Sequence, residues 1–179
     1  MRRSAVVLSL LFLTSTLSGF ATSQTPSTIT VDGDLIDWSA DELMSSSNID
    51  LHMTWDASNL YIGWDGTDWK STSEGADLFV YLNTSTDGSV LSKDWGFSHT
   101  LPFAANYGFV LEDDTYFRLV SYDGSAWVDS TYVVDLFAGW EGNMVTELAI
   151  PWAEIGSPTS LDVMMLSLIH ISEPTRRWS

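Results

Sequence analysis

Residues 51–65, LHMTWDASNLYIGWD, constrain the fold of this chain more than any other stretch. Leu51, Met53 and Trp55 alternate with His52 and Thr54, and Leu60, Ile62 and Trp64 alternate with Tyr61, Gly63 and Asp65. That period of two marks a strand with one buried face. Between the halves sits Asp56-Ala57-Ser58-Asn59, whose short polar side chains bond to nearby backbone in turns, so the stretch predicts a β-hairpin. Residues 76–83 (ADLFVYLN) repeat the device, with Leu78, Val80 and Leu82 on one face and Asp77, Phe79, Tyr81 and Asn83 on the other. Three strands then share an aliphatic face, which needs a second layer to cover it.

The rest of the chain reads as short strands and turns. Thr28 to Val31 predicts an opening strand and Asp32-Gly33-Asp34 the turn that ends it. Ser39 and Glu42 have capping-box spacing, which predicts a short helix over 40–44 with Trp38 packed at its start and a serine loop over 45–47. A polar connection, 66–75, carries Trp69; a long irregular segment, 85–106, carries Trp95, Phe97, His99 and Pro102. Strands follow over 107–111 and 116–122, separated by Glu112-Asp113-Asp114. Asp123-Gly124 between Tyr122 and Trp127 is a strong hairpin signal. A strand over 144–150 stops at Pro151, a helical turn over 152–155 stops at Gly156, and 161–166 forms the last strand. With many turns and no long amphipathic helix, the fold class is all-β: an antiparallel, jelly-roll-like β-sandwich with one or two short helical turns.

Both ends need separate treatment. Arg2 and Arg3 precede an apolar run from Ala5 to Phe20, and Ala21-Thr22-Ser23 supplies small residues for cleavage, so 1–23 reads as a signal peptide and the protein as secreted or displayed at the cell surface. The run is short for a membrane span, and no membrane insertion is expected after cleavage. Residues 167–179 resemble translated adapter read-through and gain Arg176 and Arg177 abruptly, so they read as a non-native tail on a domain spanning 24–166. All 24 acidic residues follow the leader, and removing Arg2 and Arg3 takes the net charge from −17 to −19. Such a surface repels nucleic acid and anionic lipid. It suits a neutral ligand, a divalent cation or a salty medium. No cysteine is present, so core burial rather than disulfides must stabilise an exported domain.

Three stretches, VDGDLIDW (31–38), WDASNLYIGWD (55–65) and TELAIPWAEIG (146–156), resemble the opening, central hairpin and closing signature of family 9 carbohydrate-binding modules and their DOMON-like relatives, in order and spacing. The resemblance implies a β-sandwich that serves as an accessory domain of a larger secreted or surface protein, with some relatives binding glycans and others haem. Such modules hold a sugar between two aromatic side chains. Trp69 is similar in placement to the first, which precedes the strand matching 76–83. The family often has a carboxylate in that strand, where this chain has Phe79; the second aromatic lies beyond the last strand, past an apparent truncation near Leu166.

Carbohydrate binding needs flat aromatic faces and a few placed hydrogen-bonding groups. Trp69 and Trp95 lie in polar loops with no alternating pattern to bury them, so each is either a ligand contact or a lid folded over the core. Tyr61, Phe79 and Tyr81 face away from the aliphatic side; they form either a binding platform or packing beneath 85–106. Trp38, Trp55, Trp64 and Trp152 sit at core-facing or cap positions and read as structural. Asp32, Asp34 and Asp37, and separately Glu112, Asp113 and Asp114, are acidic turns of the kind that hold a structural calcium, although neither matches an EF-hand. His52 and Met53 point to opposite faces, which leaves no convincing pair of haem ligands. Nothing resembles a nucleophile elbow or a carboxylate pair facing a common substrate, so no enzyme activity is expected. The leading expectation is a non-catalytic module that binds polysaccharide or glycan beside other domains of a longer parent chain. Its alternative is a structural or adhesive surface module without sugar binding.

Overall fold

The structure is a computed structural model and describes residues 13–17, 26–46, 50–65, 76–85, 87–93, 98–111, 116–131, 133–139 and 145–169. In chain order the strands are β1 (Leu13–Leu17), β2 (Leu43–Ser46), β3 (Asp50–Trp55), β4 (Asn59–Asp65), β5 (Ala76–Asn83), β6 (Ser89–Leu91), β7 (Thr100–Ala105), β8 (Tyr107–Leu111), β9 (Phe117–Tyr122), β10 (Trp127–Asp129), β11 (Asp135–Phe137), β12 (Thr146–Pro151) and β13 (Leu161–Ile169). One sheet runs β1-β13-β5-β8-β9-β10 and the other β11-β12-β4-β3-β2, with β6 and β7 as a separate pair. Every one of these pairings is antiparallel.

The central hairpin forms as its alternation predicts, with Leu51 opposite Trp64, Met53 opposite Ile62 and Trp55 opposite Leu60. The expectation that β5 would extend the same aliphatic face is corrected. It lies in the facing sheet, between β13 and β8, so Leu78, Val80 and Leu82 meet Leu51, Met53, Leu60, Ile62 and Trp64 across the sandwich. A period of two fixes which side of a strand is apolar and not which sheet the strand joins. Leu60, Ile62, Trp64, Val80 and Leu82 have no exposed surface. Each such side chain contributes about 1.5–3 kcal/mol by leaving water, so the interface between the sheets dominates the stability.

Local expectations meet mixed outcomes. The strand read over Thr28 to Val31 is an extended strap with no ladder partner; side chains bond to its backbone instead, Thr30 N–H donating to Asp37 at 2.6 Å and Ile29 meeting the Tyr61 phenol. The helix expected over 40–44 is one 3-10 turn, Ala40–Glu42, where the Glu42 carboxylate accepts the Ser39 N–H at 2.7 Å. Leu43 to Ser46, partly read as a serine loop, pairs with β3 as β2. The turn after Pro151 is a 3-10 turn, Trp152–Ile155, capped by Gly156. β1 falls inside the expected leader and pairs with β13 at the sheet edge, Leu13 opposite Met165 and Leu17 opposite Leu161. β13 extends beyond the predicted end at Leu166. Among the described residues, no helix is long and apolar enough to cross a membrane.

Candidate functional site

The outer face of each sheet is covered over the predicted platform residues, and this decides what they do. Phe79 and Tyr81 have no exposed surface; they pack under Leu101 and Ala105 of β7 together with Val110 and Met164. The Tyr81 phenol oxygen accepts the Lys93 N–H at 2.9 Å, so its polar tip fastens the cover. Trp127 closes the margin, edge-on to Tyr81 and Tyr122 at 5.7 and 5.8 Å, and its indole N–H donates to the Leu91 carbonyl at 2.8 Å. On the other sheet Tyr61 is buried with Ile29, Trp38 and Ala149 beneath the strap. The binding platform read for Tyr61, Phe79 and Tyr81 is therefore corrected: none of the three offers a ring face to solvent. Trp69, Trp95, Glu112, Asp113 and Asp114 lie outside the described residues.

The acidic turn at 32–37 is tied down by its own hydrogen bonds. Asp32 Oδ1 accepts the Asp34 N–H at 3.0 Å, Asp34 Oδ1 the Ile36 N–H at 3.0 Å, and Asp37 the Thr30 N–H. Among the described residues no group of three or more His, Asp or Glu side chains could hold a metal ion; the carboxylates of Asp32, Asp34 and Asp37 cap the turn through these bonds. What anchors this turn is Glu147 on β12, which is fully buried. Its Oε2 accepts the N–H groups of Asp32 at 2.9 Å and Gly33 at 2.7 Å, and its Oε1 the Trp38 indole N–H at 2.7 Å. Gly33 is required here: its φ is +83°, and a Cβ would lie 2.2 Å from the Phe137 ring. Nothing local to the 144–150 strand signals that a strap would bury Glu147.

A cleft of about 260 Å³ opens where the hairpin turn meets the loop after the Trp152–Ile155 turn, lined by Trp55, Asp56, Trp152, Ser157, Thr159 and Ser160, among others. Trp55 forms its buried floor. Trp152 is half-buried and pinned, its indole N–H donating to the Asp56 carbonyl at 2.9 Å and its backbone N–H to Ser58 at 2.9 Å. Asp56 organises the turn: Oδ1 accepts the N–H groups of Ser58 at 2.7 Å and Asn59 at 2.8 Å, and Oδ2 the hydroxyls of Tyr61 at 2.8 Å and Thr28 at 2.9 Å. Burial alone would raise its pKa, but these four donors together hold it below the ordinary carboxylate value. The Tyr61 phenol shifts the opposite way, chiefly through burial. Ser157, in the wall of this cleft, has a left-handed backbone, φ 47°, the one such non-glycine residue among those described. A strained residue of that kind costs about 1–3 kcal/mol and persists where the surroundings over-determine it. The signals that could have found the site are the polar run Ser157-Pro158-Thr159-Ser160 and the tryptophan on either side of it in the fold.

Fold and site together define an antiparallel β-sandwich with a tryptophan-lined cleft at its central hairpin turn. Comparisons with protein-family models, with curated proteins and with solved structures find no match to this chain.

Proposed function

We propose that this chain is a non-catalytic carbohydrate-binding module of a secreted or surface protein, and that sugar enters the cleft between the hairpin turn and residues 157–160. The observation that carries the reading is the lining: the half-buried indole of Trp152 beside buried Trp55, with the hydroxyls of Ser157, Thr159 and Ser160. Apolar ring faces suit the C–H faces of a sugar, and hydroxyls suit its O–H groups. At about 260 Å³ the cleft lies below the roughly 300–1,000 Å³ of drug-sized ligand sites, which fits a short stretch of sugar. The similarity of residues 31–38, 55–65 and 146–156 to family 9 carbohydrate-binding modules supports the same class.

Affinity electrophoresis against neutral polysaccharides tests it. Retention is expected for the intact chain and lost in Thr159→Trp, which fills the cleft from an exposed position while leaving the melting temperature unchanged. If Trp69→Ala removes retention and Thr159→Trp does not, the sugar sits on the 66–75 connection instead. The alternative, a structural or adhesive module, draws on the internal use of Tyr61, Phe79 and Tyr81, and it prevails if no polysaccharide retains the chain.

A further inference from the structure

We propose that the cleft between the hairpin turn and residues 157–160 takes uncharged sugars and turns away acidic ones, uronates and sulfated units alike. This rests on the carbohydrate reading above and adds a rule of selection to it. Among the described residues that line the cleft, Asp56 is the ionisable one, and no described Lys, Arg or His accompanies it there. A carboxylate has about four lone-pair sites. Four donors fill them here, two on each oxygen. Asp56 therefore has no acceptor left for a ligand hydroxyl, and it is held in the charged form by the same donors, so it brings a standing negative charge to the wall.

An acidic sugar would enter a site with one like charge and no cation to pair with, on a chain whose net charge is already −17. Like-charge juxtaposition suppresses a wrong partner without adding any contact to the right one. The hydroxyls of Ser157, Thr159 and Ser160 donate and accept equally well. They favour the neutral O–H groups of an unsubstituted sugar.

The test uses the full chain and matched pairs: hexasaccharides of glucose, mannose and galactose, each beside its C6-oxidised uronate counterpart, by calorimetric titration at low salt and again in 0.5 M NaCl. Within the pair that binds, the uronate is expected at least tenfold weaker at low salt, with the gap narrowing as salt screens the repulsion. Ser160→Lys, at an exposed position, is expected to close or reverse the gap by supplying a cation. A uronate that binds as tightly as its neutral partner at both salt concentrations overturns the charge rule and leaves the carbohydrate reading standing, and so does a Ser160→Lys chain with an unchanged gap. Failure of every sugar, neutral and acidic, with the wild-type chain overturns the carbohydrate reading and this rule with it.

Discussion

Glu147 brings a carboxyl group to a place with no exposed surface, and three N–H groups converge on it from the strap. Glutamine at this position keeps the shape but has one acceptor oxygen. If that oxygen serves Asp32 and Gly33, the new amide faces the Trp38 indole, donor against donor. An unsatisfied buried donor costs about 1–3 kcal/mol, so Glu147→Gln is expected to lower the unfolding free energy by about 2–3 kcal/mol in urea titration. A loss below about 0.5 kcal/mol would mean that the strap does not depend on this anchor. His52 makes a pH-dependent contribution beside the same strap. Its ring lies 5.5 Å from that of Trp38, and its Nδ1 is buried without a hydrogen-bond partner. Burial lowers its pKa from the ordinary 6.5, against the opposing pull of Asp50, Glu42 and Asp65. The fold thus prefers the neutral imidazole. The unfolded chain takes up a proton first as pH falls below 6.5, and stability falls with it. The melting temperature is expected to drop between pH 7.5 and pH 5.5, and His52→Gln to flatten that drop. An unchanged slope in the variant would assign the effect elsewhere.

Among elements, the strap decides which parts of the fold the sequence announces. Its passage over β4 depends on Gly63, where a Cβ would lie 2.8 Å from the Trp38 ring. Gly63→Ala is expected to displace Trp38, break its bond to Glu147 and cost about 1–3 kcal/mol as an overpacking change, read as a lower urea midpoint together with altered tryptophan fluorescence. The hairpin and β5 were legible because apolar residues alternate along each, and β8, β9 and β12 because short strand-forming runs there are bounded by turn signals. The strap read as a strand because Thr28 to Val31 carries strand-forming residues, and no local pattern says that side chains will bond to its backbone. β6 and β7 were not legible for the opposite reason. Thr100–Ala105 contains Pro102 and serves as a small cover whose partners, Phe79 and Tyr81, come from another sheet. β1 sits at the edge of its sheet, hydrogen-bonded to β13. A chain lacking residues 1–23 is therefore expected to keep its near-ultraviolet circular dichroism, and a collapse of that spectrum would make β1 integral to the fold.

For the whole molecule, the candidate site was legible only in part. Its chemistry, aromatic rings with hydroxyls on an acidic protein, follows from the nine tryptophans and the charge, although Trp55 and Trp152 themselves read as structural. Its place did not, because Trp152 and Ser157 reach the hairpin turn through the pairing of β12 with β4 and not through any local signal. The same charge governs how the fold responds to its medium. At −17 self-repulsion opposes compaction, and attraction is sparse: Arg118 meets Asp129 at 2.7 Å on an exposed surface, where a pair contributes about 0–1 kcal/mol. Salt shortens the Debye length from about 30 Å at 0.01 M to about 10 Å at 0.1 M, which is enough to uncouple carboxylates on opposite sides of the sandwich. Because the unfolded chain spreads the same charges further apart, screening relieves the native state more than the unfolded one. The melting temperature is expected to rise by several degrees between 0.01 and 0.5 M NaCl, most steeply at the low end, in differential scanning calorimetry. A flat or falling profile would show that the charges are already far enough apart for core burial alone to set the stability. Calcium chloride at matched ionic strength separates screening from binding, since a larger rise than sodium chloride gives would mark a bound ion and support the calcium reading of the acidic turns.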